Sequence, residues 1–362
     1  MTDALKKLDK DIVPLAQWLP HDHVPLVIAG PCSAESAEQV LATARELAKS
    51  PYVKAFRAGI WKPRTRPNSF EGIGEAGLDW LKRVKAETGL PTATEVANRH
   101  HVELCLEHGV DFLWIGARTT VSPFAVQEIA DALRGVDVPV FVKNPINAEL
   151  GLWLGAIERL YDAGVRKLGA IHRGFSSYVE MQFRNDPKWQ IPIELKRLLP
   201  NLPLICDPSH ISGKREYIEP LSQMALDLGI EGLIIESHID PDRALSDAKQ
   251  QVTPEELCRM LERLKVRDAA ITDRDVKRQI ARFRAEINQV DDKIIQDLAE
   301  RMKWVEEIGR LKHEHHIPVL QLTRWENLLE SHLAKAQKAG LDTEFIKSLF
   351  ELIHAQAVKR QL

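Results

Sequence analysis

Short apolar runs, each stopped by Gly, Pro or a charged residue, alternate with amphipathic stretches from residue 24 to about residue 264. The runs at 24–28, 53–57, 91–94, 112–115, 138–142, 167–171, 204–206 and 233–235 read as buried strands. Between them, apolar positions at helical spacing predict helices over 37–49, 75–87, 101–108, 123–133, 149–163 and 221–228. Eight such units predict an α/β fold, a closed (β/α)8 TIM barrel over 24–264, rather than an open doubly wound sheet. An open sheet would also want a Gly-rich dinucleotide turn directly after a strand. Gly72, Gly74 and Gly77 have that spacing but follow a loop, and read as a loop and helix start.

The pattern changes after Thr253-Pro254-Glu255-Glu256, a helix start with proline in the first turn. Residues 265–275 read as a polar linker and 1–23 as an N-terminal extension. From 276 to about 315 there is no proline, and apolar residues recur at helical spacing from Ile280 through Phe283, Ile287, Val290 and Ile294 to Leu311. A helix of roughly 40 residues is ~60 Å long at 1.5 Å per residue. That exceeds a small domain, so its apolar face calls for a second chain. Ile317-Pro318 breaks it, and shorter helices are predicted over 324–338 and 343–361, giving an all-α three-helix domain over 276–362 that dimerises.

Composition narrows the class of protein without naming it. The 362 residues carry a formal net charge of −3, which gives no sign of a nucleic-acid partner. Cys32, Cys105, Cys206 and Cys258 are widely spaced, arguing against a disulfide framework or a zinc ribbon. The opening MTDALKKLDKDIVPL lacks the apolar core of a signal peptide, and no apolar run approaches membrane-spanning length. No membrane association is expected, and the cytoplasm is the expected compartment.

The chemistry gathers where the strands end. In a (β/α)8 barrel the active site is built at the strands' carboxyl ends. Arg57 closes the second predicted strand and Lys62-Pro63-Arg64-Thr65 follows it; Arg118, Lys143 and Arg173 come after the fourth, fifth and sixth. Six cations on one rim repel one another unless polyanions are bound, and arginine forks suit phosphate and carboxylate. Taken singly, each would pass for an ordinary surface charge. Cys32 follows the first strand, Asp207-Pro208-Ser209-His210 the seventh and Glu236-Ser237-His238 the eighth, with Asp247 a loop beyond. One thiolate, one imidazole and two carboxylates suit a divalent transition metal, and spacing leaves His210 and His238 as rivals for the imidazole.

In order along the chain, GPCSAES, FRAG, KPRT, IGAR, VKNP, HRGF, DPSH, IIESH and ALSDAKQQ resemble the 3-deoxy-D-arabino-heptulosonate 7-phosphate (DAHP) synthases. The likeness is to the shorter branch of type I, whose barrel is like that of 3-deoxy-D-manno-octulosonate 8-phosphate (KDO8P) synthase, and covers about residues 20–264. It implies condensation of phosphoenolpyruvate with erythrose 4-phosphate at the head of the shikimate pathway of aromatic amino acid biosynthesis. It implies metal ligation by Cys32, His210, Glu236 and Asp247, with Mn2+ named first and Fe2+, Co2+ or Zn2+ as alternatives. It gives phosphoenolpyruvate to Arg57, Lys62, Arg118, Lys143 and Arg173, and the aldose phosphate to Lys62, Pro63, Arg64, Thr65 and Asp207. Lys62 or a water held by the metal is the implied proton carrier. The sister KDO8P synthase, which takes arabinose 5-phosphate, typically carries a KANR-like loop where this chain has KPRT. The branch often bears a ferredoxin-like regulatory domain ahead of the barrel; with about 20 residues before the first strand, that module is expected to be absent.

Residues 276–362 resemble the all-helical chorismate mutases, which rearrange chorismate to prephenate without a cofactor in an interlocked homodimer. The likeness rests on Arg284, Arg301, Lys312, Arg324 and Gln361, and implies that Lys312 and Gln361 stabilise charge on the ether oxygen. Helix geometry adds that Arg301 and Lys312 share one side, ~16 Å apart, while Arg284 lies ~25 Å before Arg301 and must serve a site through a partner chain. Two positions depart from the resemblance. Gln321 stands where an acid is common, and Trp325 stands where a Glu commonly touches the substrate hydroxyl. The whole reads as a bifunctional transferase and isomerase, with prephenate expected to act back allosterically on the barrel. The alternative reading keeps only the barrel as an enzyme and makes the tail a dimerising or prephenate-sensing module.

Overall fold

The computed structural model describes residues 2–19, 25–62, 70–179, 181–267 and 272–362. It divides into two compact units, Met1–Ala269 and Ala270–Leu362.

In the first unit eight parallel strands close into a barrel in sequential order. They are β1 (Leu26–Gly30), β2 (Val53–Arg57), β3 (Thr92–Val96), β4 (Phe112–Ile115), β5 (Val140–Lys143), β6 (Leu168–His172), β7 (Leu204–Cys206) and β8 (Gly232–Glu236). β1 sits two residues beyond its predicted place, and β3, β5 and β6 start one or two later than their apolar runs. Ladder pairing with neighbours, such as Gly30 opposite Glu236, sets these limits, which hydrophobicity alone does not report.

Alternation along each strand divides the core in two. Leu26, Ile28, Ala55, Ala93, Phe112, Trp114, Phe141, Ile171, Ile205 and Ile234 fill the barrel interior. Their neighbours, including Val27, Ala29, Phe56, Leu113, Val142 and Ile235, pack outward against the helices. Helix starts follow capping chemistry: Ser36, Asn98 and Ser122 accept backbone N–H groups at their helix starts, and Thr253 forms a reciprocal capping box with Glu256.

The segment read as an N-terminal extension carries a helix, Asp3–Asp11, and a short turn of helix, Leu15–Trp18. Leu15 and Leu19 join the interior cluster, and the Trp18 ring lies 5.3 Å from that of Phe141. Asp9 holds Asn201, and the Tyr161 hydroxyl donates to Asp11 at 2.6 Å. The segment therefore packs at the amino-terminal ends of the strands, leaving the carboxyl ends for chemistry.

The second unit has three helices: Arg274–Glu314, Leu322–Lys338 and Thr343–Gln361. Asp273 and Asp342 cap the first and third. In the 41-residue first helix only Val305 and Gly309 are buried. Phe283, Ile287, Val290, Ile294 and Ile295 are each more than half exposed.

Candidate active site

Because all eight strands run parallel, their last residues share one rim. Arg57, Lys143 and Glu236 end β2, β5 and β8, Arg173 and Asp207 come one residue after β6 and β7, and Cys32 comes two after β1. The interior side chain Trp114 forms the floor, with the Arg57 guanidinium 5.0 Å and the Lys143 ammonium 5.6 Å from its ring centroid. Its indole N–H donates to Glu95 at 2.9 Å. A Cβ at Gly116 would stand 2.1 Å from Glu95 Oε1, so the glycine of the IGAR turn is needed to let β3 and β4 place this carboxylate.

Cys32, Glu236 and Asp247 bring one ligand atom each to within 4.8 Å of one another. Cys32 Sγ lies 3.4 Å from Asp247 Oδ2. His210 joins from the short helix after β7, its Nε2 3.7 Å from Glu236 Oε1 and its Nδ1 2.8 Å from Asp207 Oδ2. A carboxylate on Nδ1 fixes ring orientation and leaves Nε2 facing the cluster. Burial lowers the His210 pKa despite Asp207 and Glu236, keeping the ring neutral and able to ligate. Burial raises Glu236, but His210 in its charged form and the Arg57 guanidinium outweigh it and hold the carboxyl below its ordinary value. Asp247 is held well below its ordinary value, with His210 in its charged form and Arg184 outweighing burial. Burial and the Glu236 carboxylate push the Cys32 thiol up to about 12. A bound divalent cation would reverse that last effect. Glu236 Oε1 is buried with no hydrogen-bond partner among the described residues. A thiol, a neutral imidazole and two ionised carboxyls, one with an unsatisfied buried oxygen, fit a transition metal.

His238 falls outside this group. Its Nδ1 accepts from the Asp240 N–H at 2.9 Å and its Nε2 lies 3.6 Å from Glu35. The structure thus separates two histidines that spacing left equivalent.

The cations gather beside the cluster. Lys62 Nζ is 3.1 Å from both Cys32 Sγ and the Cys32 carbonyl. Burial alone would lower Lys62, but Cys32, Glu236 and Glu95 more than offset it, so the ammonium stays charged at neutral pH. Arg57, 1% exposed, contacts the Cys32 carbonyl at 3.2 Å and Glu236 at 3.4 Å, while its Nε and Nη1 have no partner among the described residues. Lys143 holds Asp207 at 2.8 Å. Arg173 donates to Asn185 at 2.8 Å, and burial, with Arg184 and Arg118 nearby, brings its pKa down to about 10. Arg118 stands exposed on the short helix Ala117–Thr120. Pro63, Arg64 and Thr65 lie outside the described residues.

Several polar residues that hold this arrangement escaped the sequence reading. Arg184 bonds Asp247 at 3.1 Å and Gln250 at 2.7 Å; Gln250 donates to Glu236 at 2.6 Å. Gln251 accepts from the Cys32 N–H at 2.9 Å, and Asn144 accepts from the Arg173 N–H at 2.7 Å. The two glutamines end the ALSDAKQQ motif and were legible there as amides next to a carboxylate. Arg184 ends no strand and gave no such signal.

The second unit gathers a smaller set. Arg301, Lys312 and Gln361 come from the long and third helices, with Arg301 Nη1 and Gln361 Oε1 buried and unpartnered among the described residues. Lys312 Nζ donates to the Val319 carbonyl at 2.7 Å. A Cβ on Gly309 would meet the Gln361 backbone at 3.0 Å, so glycine there allows the two helices to close on this position. Arg324 is exposed next to Trp325, whose ring stacks on His354 at 4.0 Å. Arg284 is exposed on the long helix, ~25 Å from Arg301 at 1.5 Å per residue, and is not brought to this set within one chain.

The first unit is therefore a closed (β/α)8 barrel with a cation-lined mouth beside a thiol, imidazole and carboxylate cluster. The chain belongs to the DAHP synthetase I family, whose model matches residues 19–272. Residues 283–362 match chorismate mutase type II. Together the two matches support a bifunctional shikimate-pathway reading. The family generally works with a divalent metal. The phospho-2-dehydro-3-deoxyheptonate aldolase of Thermotoga maritima is 32% identical over 226 residues, or 62% of this chain and 64% of that one, so the match spans just under two thirds of that relative. A 2-dehydro-3-deoxyphosphooctonate aldolase of Desulfotalea psychrophila is 29% identical over 67% of this chain and 90% of its own. Among solved structures, the Thermotoga DAHP synthase superimposes with a TM-score of 0.60 at 30% identity, over 69% of this chain and 75% of that one. A truncated form of it gives 0.58 at 27% identity, over 68% and 92%. No helix among the described residues is long and apolar enough to cross a membrane.

Proposed function

We propose that the barrel condenses phosphoenolpyruvate with erythrose 4-phosphate and water to give DAHP and phosphate, and that the helical unit converts chorismate to prephenate. The observation that carries the first half is Arg57: a fully buried guanidinium, with two N–H groups unpartnered among the described residues, set beside Lys62 and over the same indole as Lys143. A buried donor pair of that kind wants an anion.

In this reading Arg57, Lys143, Arg173 and Arg118 hold the phosphate and carboxylate of phosphoenolpyruvate. Lys62, Pro63, Arg64, Thr65 and Asp207 hold the aldose phosphate. The enol carbon attacks the aldehyde carbon, water adds to the resulting cationic carbon, and phosphate leaves. Lys62, charged at neutral pH, donates a proton to the forming alkoxide, while Asp207 keeps Lys143 and His210 in place. Cys32, His210, Glu236 and Asp247 would hold the divalent metal, Mn2+ first among the candidates, which supplies Lewis acidity toward the aldehyde oxygen. Erythrose 4-phosphate is favoured over arabinose 5-phosphate by the KPRT loop.

For the tail, Arg301 Nη1 and Gln361 Oε1 supply unpartnered polar atoms beside the Lys312 helix position, suited to a dicarboxylate that rearranges without a covalent step. The exposed apolar run from Phe283 to Ile295 supports a second copy as its cover, which would also deliver Arg284. Four free cysteines accord with the reducing cytoplasm.

One experiment tests both halves. The full-length protein is assayed for DAHP with erythrose 4-phosphate or arabinose 5-phosphate, and for loss of chorismate, before and after chelation. The expected result is DAHP formation lost on chelation and restored by Mn2+, with chorismate turnover untouched. Synthesis that survives chelation overturns the metal assignment, and preference for arabinose 5-phosphate overturns the substrate. No chorismate loss leaves the tail as a dimeriser or sensor. Added prephenate in the same assay tests feedback, which fails if the synthase rate does not move.

Gly309→Val forces Gln361 away from the long helix. Chorismate kcat/KM is expected to fall by ~10²-fold, the scale of a 1 Å misplacement, with DAHP synthesis unchanged. Equal loss in both reactions would contradict it.

A further inference from the structure

We propose that His354, stacked on the Trp325 ring, is the group that binds the ring hydroxyl of the mutase substrate. The proposal rests on the mutase reading of the tail. His354 lies on the third helix seven residues before Gln361, two turns along the same face and ~10 Å away at 1.5 Å per residue. Its ring stacks on Trp325 with centroids 4.0 Å apart and planes 18° from parallel. One face is thus covered, while the edge with Nδ1 and Nε2 has no hydrogen-bond partner among the described residues. The charges that act on it are cationic, Arg301 and Lys312 of the long helix. These are the two cations that would grip the substrate, and the close approach of Gly309 to Gln361, with the Arg360–Glu306 ion pair, lays the third helix along the same stretch of the long one. Burial, with those cations, lowers its pKa, so at neutral pH the ring offers one donor and one acceptor.

The second histidine of the hairpin makes the contrast. His332 stacks on Phe350 one turn away, facing Arg301 and Lys335 instead of Lys312. It zips the two helices without looking toward both cations. Trp325 itself offers only an indole N–H and a flat ring, so it cannot accept the hydrogen of a hydroxyl. It can fix a neighbour that does, and His354 is that neighbour.

The test uses the full-length protein, chorismate, and a chorismate analogue lacking the ring hydroxyl. A site that pairs a hydroxyl discriminates against the analogue without it, because its own polar group is then left unpaired. His354→Leu keeps the bulk against Trp325 and removes both nitrogens. Its kcat/KM on chorismate is expected to drop ~30-fold, about 2 kcal/mol for a lost hydrogen bond, with the analogue affected less than ~2-fold. His354→Asn should recover most of the loss. Equal losses on both substrates, or none, overturn the proposal, as does a wild-type protein that ignores the missing hydroxyl. Trp325→Leu guards against a folding artefact: losing the ring that holds His354 should raise KM for chorismate more than for the analogue, and an equal change overturns the proposal. If the wild type does not turn over chorismate at all, the mutase reading falls first.

Discussion

Lys62→Met is expected to lower the kcat of DAHP synthesis by ~10³-fold while leaving chorismate turnover within twofold. The side chain reaches the Cys32 thiol and the Cys32 carbonyl at 3.1 Å, and the carboxylates of Glu236 and Glu95 keep it protonated. A group held charged above the usual lysine range serves as a proton donor and point charge, and is a poor base at neutral pH. Methionine preserves the apolar stem and removes both functions. The diagnostic is the split between constants. If Lys62 acts on the reacting atoms, kcat falls and KM for phosphoenolpyruvate changes little. A rise in KM with kcat intact would confine Lys62 to binding. Because the folded pKa is raised, the wild-type rate should not fall through deprotonation of this group until pH passes the ordinary lysine value. A Lys62-dependent decline already near neutrality would contradict the electrostatics of the site.

Arg57→Leu should be the most damaging single change to the barrel. It removes the guanidinium from a buried pair and leaves a fully buried Glu236 with weaker compensation, a loss of about 3–5 kcal/mol of stability. Synthase activity should vanish with it, since Arg57 also carries two donor atoms unpartnered among the described residues at the end of β2. The pH dependence follows from sign. Glu236 has a folded pKa below its unfolded value, so its contribution to stability is present above the ordinary carboxylate range and is lost as pH falls through the folded value. Without Arg57 that folded value rises, and acid unfolding should begin at higher pH than in the wild type. Thermal unfolding across pH 4–7 checks this. An unchanged acid limb would mean that His210 alone holds Glu236 ionised.

Much of this was legible in the chain. The alternating apolar runs gave eight strands because a barrel strand buried on both faces must be apolar throughout, and a helix over it must repeat near 3.6 residues. The three tail helices came within two residues of their limits, with Pro318 read as the break after the first. Cys32, Arg57, Lys143, Arg173, Asp207 and Glu236 could be named because parallel strands put every carboxyl end on one rim.

The rest was decided by folding. Spacing could not choose between His210 and His238, because the choice depends on which ring meets Asp207 and Glu236 across the barrel and which turns back to Asp240 and Glu35. The helix Asp3–Asp11, read as part of a plain extension, is held by Asn201 and Tyr161, far along the chain. Arg184, Gln250, Gln251 and Asn144 hold the site through amide and guanidinium bonds to residues up to 219 positions away. Periodicity is a local property, so the elements, their order and the rim they share could be read along the chain. Hydrogen-bond partners are set by distances in space between segments remote in the chain, and those exist only once the chain has folded.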